Sequence, residues 1–183
     1  MLYIMRHGKT DWNAQHKLQG RADVPLNEEG RQMARRAAEE YRGVHFDVCY
    51  CSPLSRARET AEILLDGRDV PQLTDDRLVE MSFGSCEGMQ YSFGDIDGPM
   101  SVLFHHPEDY NESIGGAETL DELFARTGEF LKEVALPQVA EGKDVLIVGH
   151  GAMNSSIVSI IRKLPRSEFW KAGIENCKLM QLI

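Results

Sequence analysis

The sequence predicts an α/β fold: three layers, α/β/α, around a mostly parallel central sheet, with a loop-rich lid. Three observations carry this. Short apolar runs such as Leu2–Met5 and Val145–Val148 stop abruptly at polar or glycine positions, as buried strands do. Segments with apolar residues at helical spacing lie between them, and strands alternating with helices build parallel sheets. The 183 residues suffice for one domain with its own core. Residues 1–183 are therefore read as a single domain, with 81–117 as a lid within it.

The elements follow in order. Leu2–Met5 is the first strand, stopped by Arg6-His7-Gly8. Asn27 offers an N-cap, and Glu28 and Glu29 complement the helix dipole, so a helix is predicted over about 28–42. Phe46–Cys51 is a second strand, ended by Ser52-Pro53, and Ser55–Leu65 a second helix with Ala57, Ala61, Leu64 and Leu65 inward. The stretch 81–117 carries eight Gly or Pro residues with aromatics between them. It reads as a long functional loop with a short helix near Pro99–His105. Thr119–Val139 resumes a helical pattern, Asp144–Gly149 is a strongly apolar strand, 151–163 is a helix, and Lys178–Ile183 is a closing strand.

Composition excludes several classes. A net charge of -9 argues against nonspecific nucleic-acid binding and against anionic membranes. The charge is uneven. Residues 1–60 carry 10 basic and 8 acidic side chains, whereas 61–183 carry 10 and 21. Within 81–117 there are six carboxylates and no Lys or Arg. Four irregularly spaced cysteines, Cys49, Cys51, Cys86 and Cys177, suit reduced buried thiols in a cytoplasmic protein better than a disulfide framework or a zinc site. The apolar runs are too short for a membrane helix, and the start has no signal-peptide pattern.

Both buried apolar strands end in His-Gly: Met5-Arg6-His7-Gly8 and Val148-Gly149-His150-Gly151. Ligands in open α/β sheets bind beyond the carboxyl ends of the strands, so two imidazoles are expected over one crevice. A third strand leads to Arg56. Two histidines beside arginines repel a metal ion, whereas arginine forks match phosphate oxygens. The pattern points to phosphoryl chemistry with no metal and no cofactor.

These residues resemble the signature of a known family. Arg6-His7-Gly8-Lys9-Thr10 with Asn13 is similar to the signature of the histidine phosphatase superfamily, the phosphoglycerate mutase-like proteins. Gln19-Gly20 with Asp23-Val24-Pro25-Leu26 and Gly30, then Ser52-Pro53-Leu54 with Arg56-Ala57 and Thr60-Ala61, resemble the next blocks. Leu78, Glu80, Gly84 and Gly88 keep the spacing of the block that supplies an acid, and Gly149-His150-Gly151 resembles the second histidine block. The resemblance spans nearly the whole chain. It implies that His7 becomes a phosphohistidine, that Arg6, Arg56 and His150 hold the phosphoryl oxygens, and that Glu80 donates the proton. Asn13 and Gln19 would lie on the loop nearest the phosphate. Glu118, with Thr119, belongs to a Gly-Gly-Glu-Ser-like segment that departs here to Gly116-Ala117-Glu118-Thr119. Gly151 and Glu118 join Asn13 and Gln19 as expected substrate contacts.

A neutral imidazole is a good nucleophile near neutral pH, and covalent catalysis splits one hard step into two. For His7 to attack with one ring nitrogen, the other should donate a hydrogen bond to a backbone carbonyl. Glu80 should be protonated to start. The family includes mutases as well as phosphatases. The absence of Lys and Arg in 81–117, beside its carboxylates, favours a phosphatase acting on a small monophosphorylated metabolite with a neutral or cationic leaving group, such as a sugar phosphate or α-ribazole phosphate. Phosphoglycerate mutase activity and a non-catalytic phosphometabolite-binding module are the alternatives. Tyr91, Phe93, Phe104 and Tyr110 are expected at the lid, and of its side chains only His105 and His106 can become cationic.

Overall fold

The computed structural model describes every residue except Phe93 and Asp95. Five strands are present among the described residues: β1 (Leu2–Arg6), β2 (Val48–Cys51), β3 (Gln72–Thr74), β4 (Val145–Gly149) and β5 (Leu179–Gln181). They form one sheet in the order β3-β2-β4-β1-β5. β1, β2, β3 and β4 pair in parallel, and β5 pairs antiparallel with β1. The helices are α1 (Asp11–Ala14), α2 (Glu28–Glu40), α3 (Ser55–Leu64), α4 (Ser101–His105), α5 (Leu120–Phe130), α6 (Leu136–Ala140) and α7 (Gly151–Arg162).

The strands explain the layers. Every residue of β4 is buried, which its unbroken Val-Leu-Ile-Val run demands of a strand covered on both faces. Leu146 and Val148 face one core with Met5, Cys49 and Cys51, closed by Ala34 and Ala37 of α2 and Ala57, Ala61 and Leu64 of α3. Val145 and Ile147 face the other core with Leu2 and Ile4, closed by Leu123 and Phe130 of α5 and Met153 and Ile157 of α7. Each fully buried aliphatic side chain contributes about 2 kcal/mol of transfer free energy. The three-layer α/β/α expectation and the mostly parallel sheet hold.

The differences have local causes. The helix read over 119–139 is interrupted: Leu131–Ala135 is a π-helical turn, and the Leu136 N–H reaches back to Leu131 O. Pro137 lacks an N–H and crowds the preceding turn, so the ladder slips by one residue there. β3 has no apolar pattern because it is a three-residue edge strand whose Leu73 is largely exposed. The four cysteines are buried and unpaired with one another. Burial raises the thiols of Cys49 and Cys51 and pushes Cys177 up to about 12. No helix among the described residues is long and apolar enough to cross a membrane.

Candidate active site

β1 and β4 lie side by side in register, with Arg6 opposite Gly149. His7 and His150 follow directly, and their ring centroids are 5.1 Å apart. The backbone fixes this junction. The His7 N–H donates to Gly149 O at 2.9 Å, Asn176 Nδ2 donates to His7 O at 2.6 Å, and the Gly8 N–H donates to Thr60 Oγ1 at 3.0 Å. Gly8 must be glycine, because a Cβ there would come 2.6 Å from Gly30 O.

His7 Nδ1 lies 2.6 Å from Gly8 O, which can only accept, so Nδ1 carries the proton and Nε2 presents its lone pair. Burial, reinforced by the charges of Arg56 and Arg6, pushes the His7 pKa well below the usual imidazole range. Burial and Arg56, then His7 and Arg6, do the same to His150. Both rings are therefore neutral at pH 7.

Arg56, fully buried on α3, donates from Nη1 to Ala22 O and from Nη2 to Gly20 O, both at 2.7 Å. Burial lowers its pKa to about 10, with Glu80 opposing, so it remains a cation. Burial also lowers the pKa of Arg6, and Glu80 again opposes. Arg6 Nε, Arg56 Nε, both ring nitrogens of His150 and the Ser155 hydroxyl are buried without a hydrogen-bond partner among the described residues. Unsatisfied buried polar atoms cost about 1–3 kcal/mol each, and a cluster of donors and cations is suited to a multiply charged oxyanion.

Glu80 lies across the cleft at the start of α7. Its Oε1 accepts from Met81 N at 2.8 Å and Met153 N at 2.9 Å, and its Oε2 accepts from Ala152 N at 3.2 Å. A Cβ on Gly151 would sit 3.7 Å from both Arg6 Cζ and Glu80 Oε2, in the space between them. Asn13 and Gln19 are anchored through their oxygens. Asn13 Oδ1 accepts from the Thr10 N–H at 3.1 Å, and Gln19 Oε1 accepts from Thr10 Oγ1 at 2.8 Å. Their amide nitrogens are left as the donors for a ligand.

Arg6, His7, Asn13, Gln19, Arg56, Glu80 and Gly151 all line one cleft of about 890 Å³, and His150 sits behind it against His7. Glu118 is not brought to the cleft. Arg126 holds its carboxylate, with Nε to Oε1 at 2.6 Å and Nη2 to Oε2 at 2.9 Å. Thr119 is the N-cap of α5. Phe83, Gln90, Tyr91 and Phe104 line the cleft from 81–117, whereas Tyr110 is buried and donates to Glu118 O. The expectation for Phe93 falls outside the described residues.

The charge reading of 81–117 did not anticipate the walls. Asp95 lies outside the described residues, and none of the other five carboxylates lines the cleft. Glu87 turns away to accept from the Arg21 and Phe83 amides. Basic side chains reach the cleft from elsewhere: Lys17 and Lys9, the latter ion-paired with Glu29, line it around α1, with His16 beside them. The sequence reading also passed over Ser155, Trp170 and Asn176. Trp170 Nε1 donates to Leu103 O, and its ring stacks on Phe104 at 5.1 Å, with Tyr91 stacked on Phe104 at 4.0 Å. One of only two tryptophans, beside the closing strand, was the available signal.

PhoE of Bacillus subtilis, an uncharacterized phosphatase, is 36% identical over 159 residues, 86% of this chain and 75% of that protein. GpmB of an Enterobacter species, a probable phosphoglycerate mutase, is 31% identical over 183 residues, 99% of this chain and 83% of that one. A mycobacterial glucosyl-3-phosphoglycerate phosphatase, solved with VO3, superposes with a TM-score of 0.84 at 28% identity, over 97% of this chain and 88% of its own. The family model for the histidine phosphatase superfamily, branch 1, matches residues 2–183, and the chain belongs to that superfamily.

Proposed function

We propose that the protein hydrolyses a small phosphomonoester through a phosphohistidine on His7, without a metal or other cofactor. The observation that carries this reading is the 2.6 Å contact between His7 Nδ1 and Gly8 O. This contact commits Nδ1, which leaves Nε2 as a neutral nucleophile among cationic and unpartnered donors. Nε2 attacks phosphorus, the ester P–O bond breaks, and the departing oxygen takes a proton from Glu80. Water then attacks the phosphohistidine and gives its proton to the Glu80 carboxylate, the P–N bond breaks, and phosphate leaves. Oε2, with a single N–H donor at 3.2 Å, is the oxygen suited to carry that proton. Arg6, Arg56 and His150 meet the charge on the phosphoryl oxygens, and Asn13 and Gln19 add amide donors. Two guanidinium groups beside the imidazoles disfavour a resident metal ion.

The leaving group faces Phe83, Tyr91, Phe104 and Trp170, a wall suited to an apolar or ring-bearing alcohol. Residues 81–117 serve as the cover of the cleft within one catalytic unit, and the reduced thiols suit the cytoplasm. The test is phosphate release from a panel of phosphomonoesters, with and without chelator, for the protein and for His7→Ala. Chelator-insensitive release that the substitution abolishes is expected. Release that survives His7→Ala would sink the reading.

A second reading, phosphoglycerate mutase activity, is favoured by Lys9 and Lys17, whose basic side chains line the cleft and suit a second anionic group. It is tested with 3-phosphoglycerate and its bisphosphate primer. Isomerisation faster than phosphate release would establish it in place of the first.

A further inference from the structure

Glu118 resembles a site residue in sequence, yet it does not reach the cleft. Its surroundings give it another task. The Arg126 guanidinium, mounted on α5, donates from Nη1 to Arg77 O at 2.6 Å and to Val79 O at 2.8 Å. The same guanidinium forks onto Glu118 through Nε and Nη2. Glu118 in turn grips the far side of the same loop. Its Oε2 accepts from Ser82 N at 3.3 Å, and its own N–H donates to Ser82 O at 2.9 Å. The backbone is thus held at 77, 79 and 82, on both sides of Glu80.

α5 is itself tied to α7. Ser156 Oγ lies 2.9 Å from Thr127 Oγ1, one residue beyond Arg126. α7 supplies the Ala152 and Met153 amides that hold the Glu80 carboxylate. One helix fixes the backbone that carries Glu80, and the helix packed against it fixes the carboxylate.

We propose that the Glu118–Arg126 pair is a clamp that positions Glu80 for proton transfer to the leaving group; this rests on the reading of Glu80 as proton donor. Glu118 and Arg126 are positioning residues, because neither lines the cleft. Proton donation depends on hydrogen-bond distance to the leaving oxygen, and small misplacements cost large factors in rate. A donor held loosely should fail most where the leaving group needs its proton most.

The test compares kcat/KM for phenyl phosphate, whose phenoxide needs the proton, with 4-nitrophenyl phosphate, whose nitrophenoxide leaves without it. Glu118→Gln removes the charge and keeps the shape. Arg126→Lys keeps the charge and loses the fork. Both should lower kcat/KM on phenyl phosphate by about thirtyfold and on 4-nitrophenyl phosphate by less than about threefold. Glu80→Gln, run alongside, should show the same bias more strongly. Equal losses on the two substrates, or no loss, would overturn the clamp. Failure of both clamp variants to fold would also overturn it, because the pair would then hold the fold and not one loop. If Glu80→Gln itself shows no bias, the donor reading falls and takes the clamp with it. Bias in Glu80→Gln alone removes only the clamp.

Discussion

The inner pocket and the outer walls of the cleft are built by different means. Arg6, His7 and His150 stand at the carboxyl ends of two paired strands, and Arg56 is fully buried with its guanidinium pinned to two carbonyls. The walls are side chains on α4 and the loop before it, and on the turns that flank α1 and follow α7: half-buried Lys9 and Lys17 with exposed His16 on one part, half-buried Tyr91, Phe104 and Trp170 on another. Groups that must not move are set on the sheet, and groups that choose the alcohol sit on segments that can vary without disturbing it.

The sharpest way to break that comparison is to remove the nucleophile. His7→Ala should lower phosphate release by at least about 10⁴-fold, read by steady-state kinetics and by loss of acid-labile phosphate on the protein. Arg56→Lys comes next. It keeps a charge but loses the fork that spans Gly20 O and Ala22 O, so kcat/KM should fall about 10²- to 10³-fold. A loss below about tenfold would mean that charge alone suffices.

The inner pocket should also set acid stability. His7 and His150 bind protons less readily folded than unfolded, where an imidazole titrates near 6.5. Below about pH 6.5 the unfolded chain takes up the extra protons, so stability falls as pH falls. The loss is up to about 1.4 kcal/mol per pH unit for each histidine. Above about pH 7 these two groups contribute no slope. Urea midpoints at about pH 5 and pH 7 measure this, and His150→Gln should flatten the difference. The smallest effect belongs to the walls. Tyr91→Ala should raise KM for an aryl phosphate by about fivefold with kcat nearly unchanged, and leave a short alkyl phosphate unaffected. An equal fall in kcat for both would place Tyr91 with the inner pocket.

The same division explains what was legible in the sequence. Met5-Arg6-His7-Gly8 and Val148-Gly149-His150-Gly151 carry strand, stop and functional group in four residues each. Glu80 was legible only through the spacing of a resemblance, since nothing local distinguishes it from Glu87. Their difference is tertiary: Glu80 meets the first turn of α7, and Glu87 meets the amides of Arg21 and Phe83. β3 was missed because an exposed edge strand of three residues carries no period. Lys9 and Lys17 were missed as wall residues because charge was counted along 81–117 and not across the cleft. Asn176 lies close to the site because the chain returns beside β1, and Trp170 because 166–172 packs against α7 and stacks its ring on Phe104.

That return has a consequence for how the protein is made. β1, which delivers the nucleophile, lies between β4 and β5, both drawn from beyond residue 144. The carbonyl of His7 waits for Asn176, 169 residues further on, and the carbonyl of Arg6 waits for the Cys177 amide. At ribosomal speeds of about 5–20 residues per second, the first strand spends roughly seven to thirty seconds without either neighbour. A growing chain therefore exposes an apolar, two-sided strand until β4 and β5 have been made, and the nucleophile is fully mounted only after Asn176 and Cys177 have emerged.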